Sequence, residues 1–400
     1  MGKISKKKIL LSSVIILGFL TVMLIPFVYQ TNQPLLPTNP YAPANIETPT
    51  LIESKQNPRP VNLWWNYSWN YRRQINVREP GYVSRINDIA KVHLTFTNGH
   101  CYNNSIRVAY YHPYTYDWVE VPIQLENVTY FSPPNDNYID ECDLMFLCNV
   151  TRRRTSTYYV YYNDSYTGAP PTYNTPLNIN IVGNSYFTFE TGVISGNYTI
   201  RYSGTGTDDD ACFRIFKVNG IDIIPTSGMH SGIDRIEGDD PGMVSGNLLN
   251  WTAELIEDGP IRAIVRVSKL STDEFASSIG GGTYGPTNKT YTFYAYQGYI
   301  SVSVNSIISS LPVYDFAAVN ITNQWRLYID TYDLGVATDY PWTDLLSSPQ
   351  PYNYMSLVRN DGIGLSLIGS PKWPYDTYEA ENRTSMEYGY GTVDPGVFSF

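Results

Sequence analysis

The densest collection of groups able to do acid–base chemistry is Gly228-Met229-His230-Ser231-Gly232-Ile233-Asp234-Arg235-Ile236-Glu237. Glycines bound it, so it reads as a loop that holds an imidazole, two carboxylates and a guanidinium. Removing the proton α to a uronate carboxylate takes a base, and the enolate that develops takes a positive group. His230 and Arg235 could fill those roles, with Asp234 and Glu237 beside them. This is the catalytic set if the chain is an enzyme; the plain alternative is a solvated loop in which Asp234 and Arg235 contact each other.

Two acidic runs, Asp208-Asp209-Asp210 and Asp239-Asp240, offer carboxylate oxygens of the kind calcium takes six to eight of. Their spacing is not the alternating D-x-D-x-D of an EF-hand loop, so solvated turns compete with a calcium site, and no cofactor beyond that ion is implied. Aromatic rings are the larger resource, with 36 Tyr and 8 Trp. Trp342 and Trp373 fall in proline- and tyrosine-rich loops, where an indole can stack on a pyranose ring, and they are the expected sugar-binding pair. Trp118 and Trp325 fall in strand-like runs and read as packing, while Trp64, Trp65 and Trp69 could seal a first module.

The elements that must position these groups begin with the leader. Lys3, Lys6, Lys7 and Lys8 precede an uncharged apolar run from Ile9 to Tyr29. As a helix that run would be about 31 Å long, enough for a hydrocarbon layer of about 30 Å. A retained single-pass anchor over 1–29 is expected, lysines cytoplasmic and the bulk of the chain extracellular. A long cleaved signal is the alternative, and either one exports the chain. Residues 30–62 carry seven prolines between Pro34 and Pro60 and read as an extended stalk. Without the leader lysines the exported part has 23 basic against 37 acidic residues, the wrong balance for coating nucleic acid or anionic lipid.

Ten asparagines head an N-x-Ser/Thr triplet: Asn66, Asn103, Asn127, Asn149, Asn163, Asn197, Asn250, Asn288, Asn320 and Asn382. Chance would give about five, so the spread suits a glycosylated surface protein. Four cysteines without a C-x-x-C pair favour disulfides in an exported chain. Cys142 and Cys148 flank a strand-like run and would sit about 20 Å apart, beyond reach of each other. A bridge between Cys101 and Cys142 is expected, with Cys148 on the apolar face beside Leu144 and Phe146; four free buried thiols are the alternative.

Between these landmarks the patterning is β. Val92, Leu94 and Phe96 alternate with Lys91, His93, Thr95 and Thr97, a period of two that puts His93 on the polar side. Ser105–Tyr111, Trp118–Leu125, Asp143–Cys148 and Thr157–Tyr162 repeat the style between turn-forming residues. Longer alternations follow around Ile261–Ser268, Ile300–Asn305 and Trp325–Ile329. No exported stretch sustains a 3.6-residue apolar period. The expected chain is all-β after the anchor and stalk: a small antiparallel sandwich over 63–165, a linker over 166–176 and a larger β super-sandwich over 177–400.

Two resemblances go with these boundaries. Trp69-Asn70-Tyr71-Arg72-Arg73-Gln74-Ile75-Asn76-Val77, then Trp118-Val119-Glu120-Val121-Pro122, then Tyr158-Tyr159-Val160-Tyr161-Tyr162 resemble a small β-sandwich domain of unknown function that recurs in microbial surface proteins. The Gly-x-Asp that usually precedes its middle strand is replaced here by Asn103-Asn104-Ser105. Glu257-Asp258-Gly259-Pro260-Ile261-Arg262-Ala263, Tyr296–Val302, and Asn360–Leu365 followed by Trp373–Tyr378 look like the super-sandwich of the galactose-mutarotase-like superfamily, an accessory domain of α-mannosidases and polysaccharide lyases. That likeness implies catalytic groups largely in a companion barrel or toroid, for which the sequence shows no pattern. The expected function is a membrane-anchored, glycosylated surface protein that binds glycans or envelope proteins without catalysis. An exported polysaccharide-lyase-like enzyme and a surface lattice or filament subunit are the alternatives.

Overall fold

The computed structural model describes residues 64–112, 114–200, 212–223, 251–269 and 280–308, and beyond these a set of strands from Ser54–Lys55 to Val397–Ser399. The anchor and the stalk other than Ser54–Lys55 lie outside the described residues; those two form a strand of the first module and not part of an extended stalk. All regular structure that is described is β; no described helix is long and apolar enough to cross a membrane.

Eight strands build the first module: β1 (Ser54–Lys55), β2 (Tyr71–Arg78), β3 (Arg85–Thr95), β4 (Arg107–His112), β5 (Asp117–Val121), β6 (Ile123–Tyr130), β7 (Ile139–Val150) and β8 (Thr155–Tyr162). They form a five-stranded sheet in the order β1-β2-β8-β4-β5 and a three-stranded sheet in the order β3-β7-β6. Sequence alternation decides which side chains meet between them. On β2, Tyr71, Arg73, Ile75 and Val77 are buried while Arg72, Gln74 and Asn76 are half-exposed. On β3, Val92 and Leu94 face the core while Lys91, His93 and Thr95 face out, as the period-two pattern predicts. Ile75, Leu94, Val108, Leu144, Phe146 and Val160 have no exposed surface, each contributing roughly 1.5–3 kcal/mol by burial. Arg73, buried among them, donates to Tyr162 Oη at 3.1 Å and to the Thr95 carbonyl.

The single strand expected over Trp118–Leu125 is two strands. Pro122 has no N–H to give a ladder, and the chain changes sheet there, with β5 in the five-stranded sheet and β6 in the three-stranded one. The cysteines correct a second expectation: Cys101, Cys142, Cys148 and Cys212 are all free thiols, and Cys101 and Cys142 are not bridged. Cys101, Cys142 and Cys148 fill the core of the first module as small apolar groups. Burial pushes the Cys142 and Cys148 thiols up to about 12, so neither carries thiolate at neutral pH.

Strands resume at β9 (Asn178–Val182), β10 (Tyr186–Glu190), β11 (Ile194–Thr199), β12 (Cys212–Val218), β13 (Ile221–Asp222), β14 (Ile233–Ile236), β15 (Trp251–Asp258), β16 (Arg262–Lys269), β17 (Asp273–Ser277), β18 (Gly280–Tyr294) and β19 (Ile300–Ile308). They join later strands in sheets of nine and six, and a four-stranded sheet is built from later strands alone. Ala263, Val265 and Val267 are fully buried while Arg266 is exposed, the alternation expected for one wet face. An aromatic core of Phe187, Phe189, Tyr198, Phe213, Tyr291 and Phe293 fills this part, and Tyr291 Oη donates to Tyr198 Oη at 2.9 Å.

The stretch between the modules is packed rather than free. Tyr166 lies 5.8 Å from the Trp69 ring and accepts from Arg107 Nη2 at 2.9 Å. Tyr173 Oη donates to Glu120 at 2.9 Å, and Thr175 Oγ1 to the Pro260 carbonyl at 2.6 Å.

Candidate functional site

Two places gather functional side chains, one on each outward face of the first module. The first is a cleft of about 520 Å3 between β6 and the turn that joins β15 to β16, walled by Pro170 and Pro171. The Gln124 side chain is threaded into that turn. Its Oε1 accepts from Ile261 N at 3.0 Å and Arg262 N at 2.8 Å, and its Nε2 donates to the Arg262 carbonyl at 3.2 Å and to Glu257 Oε1. A Cβ at Gly259 would overlap the Gln124 amide, so any larger residue there has to displace that side chain. Beside it Arg262 spans two carboxylates, Nη1 to Glu126 Oε1 at 2.7 Å and Nη2 to Glu257 Oε2 at 2.5 Å.

The network continues along the three-stranded sheet. Lys91 Nζ bridges Glu126 at 3.0 Å and Asp143 at 3.2 Å, and His93 Nδ1 meets Asp143 at 2.9 Å. Burial alone would lower the Lys91 and Arg262 pKa values, but their carboxylate partners outweigh it and both are raised. Asp143 is held down to about 2 by hydrogen bonds from His93 and Asn127, helped by Lys91 and opposed by burial. Where the charges stop, Met145 and Leu147 pack under Ile261, with Ile89 and Tyr296 around them. Glu126 and Glu257 are each committed to Arg262, so the cleft's paired carboxylates act as a joint, not as a free acid and base. Among the described residues no cluster of His, Cys, Asp and Glu is arranged to hold a metal ion.

The second place is the outward face of the five-stranded sheet. Pairing across the strands sets Gln74 opposite Tyr159, Tyr159 opposite Ala109, and Ala109 opposite Glu120; Asn76 is opposite Thr157, and Tyr111 opposite Trp118. Ala109 is small enough to be wholly covered by the rings around it. Trp118 lies 5.6 Å from Tyr111, 5.6 Å from Tyr159 and 6.1 Å from Tyr161. Trp64 and Trp65 sit against Tyr161 at 5.5 and 5.4 Å, and the Arg72 guanidinium stands over Trp64 at 4.5 Å and Tyr159 at 4.8 Å. Trp69 is buried and donates through Nε1 to the Ser105 carbonyl at 2.7 Å. Trp118, Tyr159 and Trp64 stay half-exposed, Tyr111 is 36% exposed, and the β4–β5 turn projects Tyr114 and Tyr116 at 87% and 76%. Packing was expected of Trp118, and sealing of the three N-terminal tryptophans. The structure shows both, with ring surface left over.

Most of the site residues expected from sequence fall elsewhere. His230, Glu237, Asp208, Asp209, Asp210, Asp239, Asp240, Trp342, Trp373, Asn250 and Asn382 lie outside the described residues. Asp234 and Arg235 belong to β14 and not to a loop, Arg235 pairing with Asp315. Asn127 and Asn149 are exposed, whereas Asn66, Asn103, Asn197 and Asn288 are half-buried and Asn320 ends a strand. Asn163 is 9% exposed, and its Nδ2 donates to the Ser68 carbonyl at 3.0 Å. Sequence reasoning missed Gln124, Arg262, Gln74 and Asn76. A polar residue in a half-wet strand carries no signal of a distant partner.

No family model matches the chain, and no curated protein matches it. Among solved structures it is similar to an α-mannosidase from Enterococcus faecalis V583, with 10% identity, a TM-score of 0.45, and 82% of this chain and 42% of that one covered. It is also similar to a protein in glycosyl hydrolase family 38 from Enterococcus faecalis, with 10% identity, a TM-score of 0.43, and 80% and 42% covered. The chain spans less than half the length of either. Likeness of this degree says nothing about chemistry.

Proposed function

We propose that this chain is an exported surface protein that binds carbohydrate without cleaving it, through the aromatic outward face of its first module. One observation carries the reading: half-exposed Trp118, Tyr111 and Tyr159 share a face with Gln74, Asn76 and Thr157, so ring surface and hydroxyl-binding groups lie side by side. An indole or phenol ring stacks on the apolar face of a pyranose while amides and hydroxyls take its polar rim. The leader and stalk would hold this face away from a membrane, and exposed acceptor asparagines such as Asn127 and Asn149 would carry glycans. Trp342 and Trp373 stay part of the proposal as a second sugar-binding pair.

The test is a binding screen of the full chain in detergent micelles against insoluble and soluble polysaccharides, with product analysis on the same samples. The expected result is retention of at least one polysaccharide, lost by tenfold or more in Trp118→Ala with the circular dichroism spectrum unchanged. Release of unsaturated or reducing-end oligosaccharides would overturn the non-catalytic reading in favour of an exported carbohydrate-active enzyme. Retention of no polysaccharide would overturn it altogether.

A further inference from the structure

We propose that Gln74 and Asn76 read two neighbouring hydroxyls of a neutral pyranose held against the aromatic face. The inference rests on the carbohydrate-binding reading and names its substrate class. The two residues are i and i+2 on β2, hence on the same side of the sheet, and both are half-exposed. Their amides are already oriented. Asn76 Oδ1 accepts from Gln74 Nε2 at 3.0 Å and from Thr157 Oγ1 at 3.1 Å. That arrangement leaves Asn76 Nδ2 as a donor and Gln74 Oε1 as an acceptor, neither taken by a described protein group.

A donor and an acceptor side by side suit a vicinal diol. One hydroxyl accepts from Asn76 Nδ2 while its neighbour donates to Gln74 Oε1. The ring needed beneath such a sugar is close, because Gln74 is directly opposite Tyr159, which lies 5.6 Å from Trp118. Among the described residues, β1 pairs with β2 at Tyr71 and Arg72 on its far side.

Two of the three arginines on this face are held by the protein, and the third, Arg78, is exposed two residues beyond Asn76 on the same side of β2. Arg107 is 5% exposed and donates to the Asn104 carbonyl at 2.8 Å, the Ile106 carbonyl at 2.7 Å and Tyr166 Oη, with Glu120 at 3.6 Å. Arg72 is layered between Trp64 and Tyr159. A uronate or sulfate would meet Glu120 and a chain of net charge −10, which outweigh Arg78 and favour a neutral sugar.

The experiment competes methyl pyranosides and their monodeoxy analogues against the retained polysaccharide, using the full chain. In the wild type, removing one of two adjacent hydroxyls should weaken competition by about tenfold. Asn76→Asp keeps the acceptor for Gln74 and Thr157 but deletes the donor, and Gln74→Ala deletes the acceptor. In both variants the deoxy penalty at the matching hydroxyl should disappear. An unchanged deoxy penalty in both, or retention confined to uronate or sulfated polymers, overturns the diol assignment while the aromatic face still stands. Loss of all binding in Trp118→Ala, with normal discrimination in the wild type, supports both ideas. Failure of the wild type to retain any polysaccharide removes both together.

Discussion

The three-stranded sheet of the first module turns Lys91, His93 and Asp143 outward, then Met145 and Leu147; the five-stranded sheet turns out Arg72, Gln74, Asn76, Tyr159, Tyr111 and Trp118. Both sets come from the same period-two alternation, yet one face is consumed by an internal joint and the other keeps ring surface in solvent. The difference lies in what is fixed. On the joint, the carboxylates, Lys91 and the Gln124 amide have protein partners at hydrogen-bonding distance, Arg262 Nε is left without one, and apolar side chains close the seam. On the aromatic face, Arg72 and Arg107 are held among rings and carbonyls while a donor on Asn76 and an acceptor on Gln74 remain open. A surface meant to cohere satisfies its polar groups internally, and one meant to bind leaves a chosen few.

The largest expected effect falls on the joint. Arg262→Ala leaves Glu126, whose side chain is 7% exposed, with Lys91 alone and takes the cation from Glu257, and should cost about 3 kcal/mol. Urea denaturation of the full chain checks it; a loss below about 1 kcal/mol would show that the joint does not hold the modules. Next, Gln124→Ala leaves the Ile261 and Arg262 amides without an acceptor, and Gly259→Ala expels the Gln124 amide from the turn, each costing about 2 kcal/mol. Because both lesions destroy one interaction, the double variant should fall well short of the sum in a double-mutant cycle. Trp118→Ala should cost only about 1 kcal/mol in the same denaturation, since its ring is half-exposed, while abolishing sugar retention. Equal stability losses on the two faces would erase the contrast.

The smallest effect is acid sensitivity. The Asp143 pKa of about 2 lies below the unfolded value of about 3.9. Its contribution is therefore fully present above about pH 4 and is lost as pH falls through 2. The urea midpoint should drop between pH 5 and pH 2.5, and Asp143→Asn should flatten that drop. An unaltered pH slope in the variant would move the acid-labile group elsewhere.

Alternation made much of this legible. The inward Val92 and Leu94, the outward His93, and the buried Ala263, Val265 and Val267 were all readable because burial on one face imposes a period. What was not legible depended on partners far along the chain. Gln124 and Ile261 are 137 residues apart, and nothing in either local sequence says that one threads the other's turn. The Glu257–Ala263 stretch stood out by its resemblance, but its use as a socket was not legible. Cys101 and Cys142 misled because an exported chain invites disulfides, while the core accepts a thiol as readily as a methyl-sized filler. Pro122 was the clearest overlooked cue, since a residue without an N–H should have split the strand it interrupts.

The socket has an outcome for drift in this chain's descendants. Positions 124 and 259 share one small volume, so a bulkier residue at the second costs less once the first has shortened. Substitutions there should arrive as a pair and in that order, across two stretches of gene that otherwise have no reason to change together.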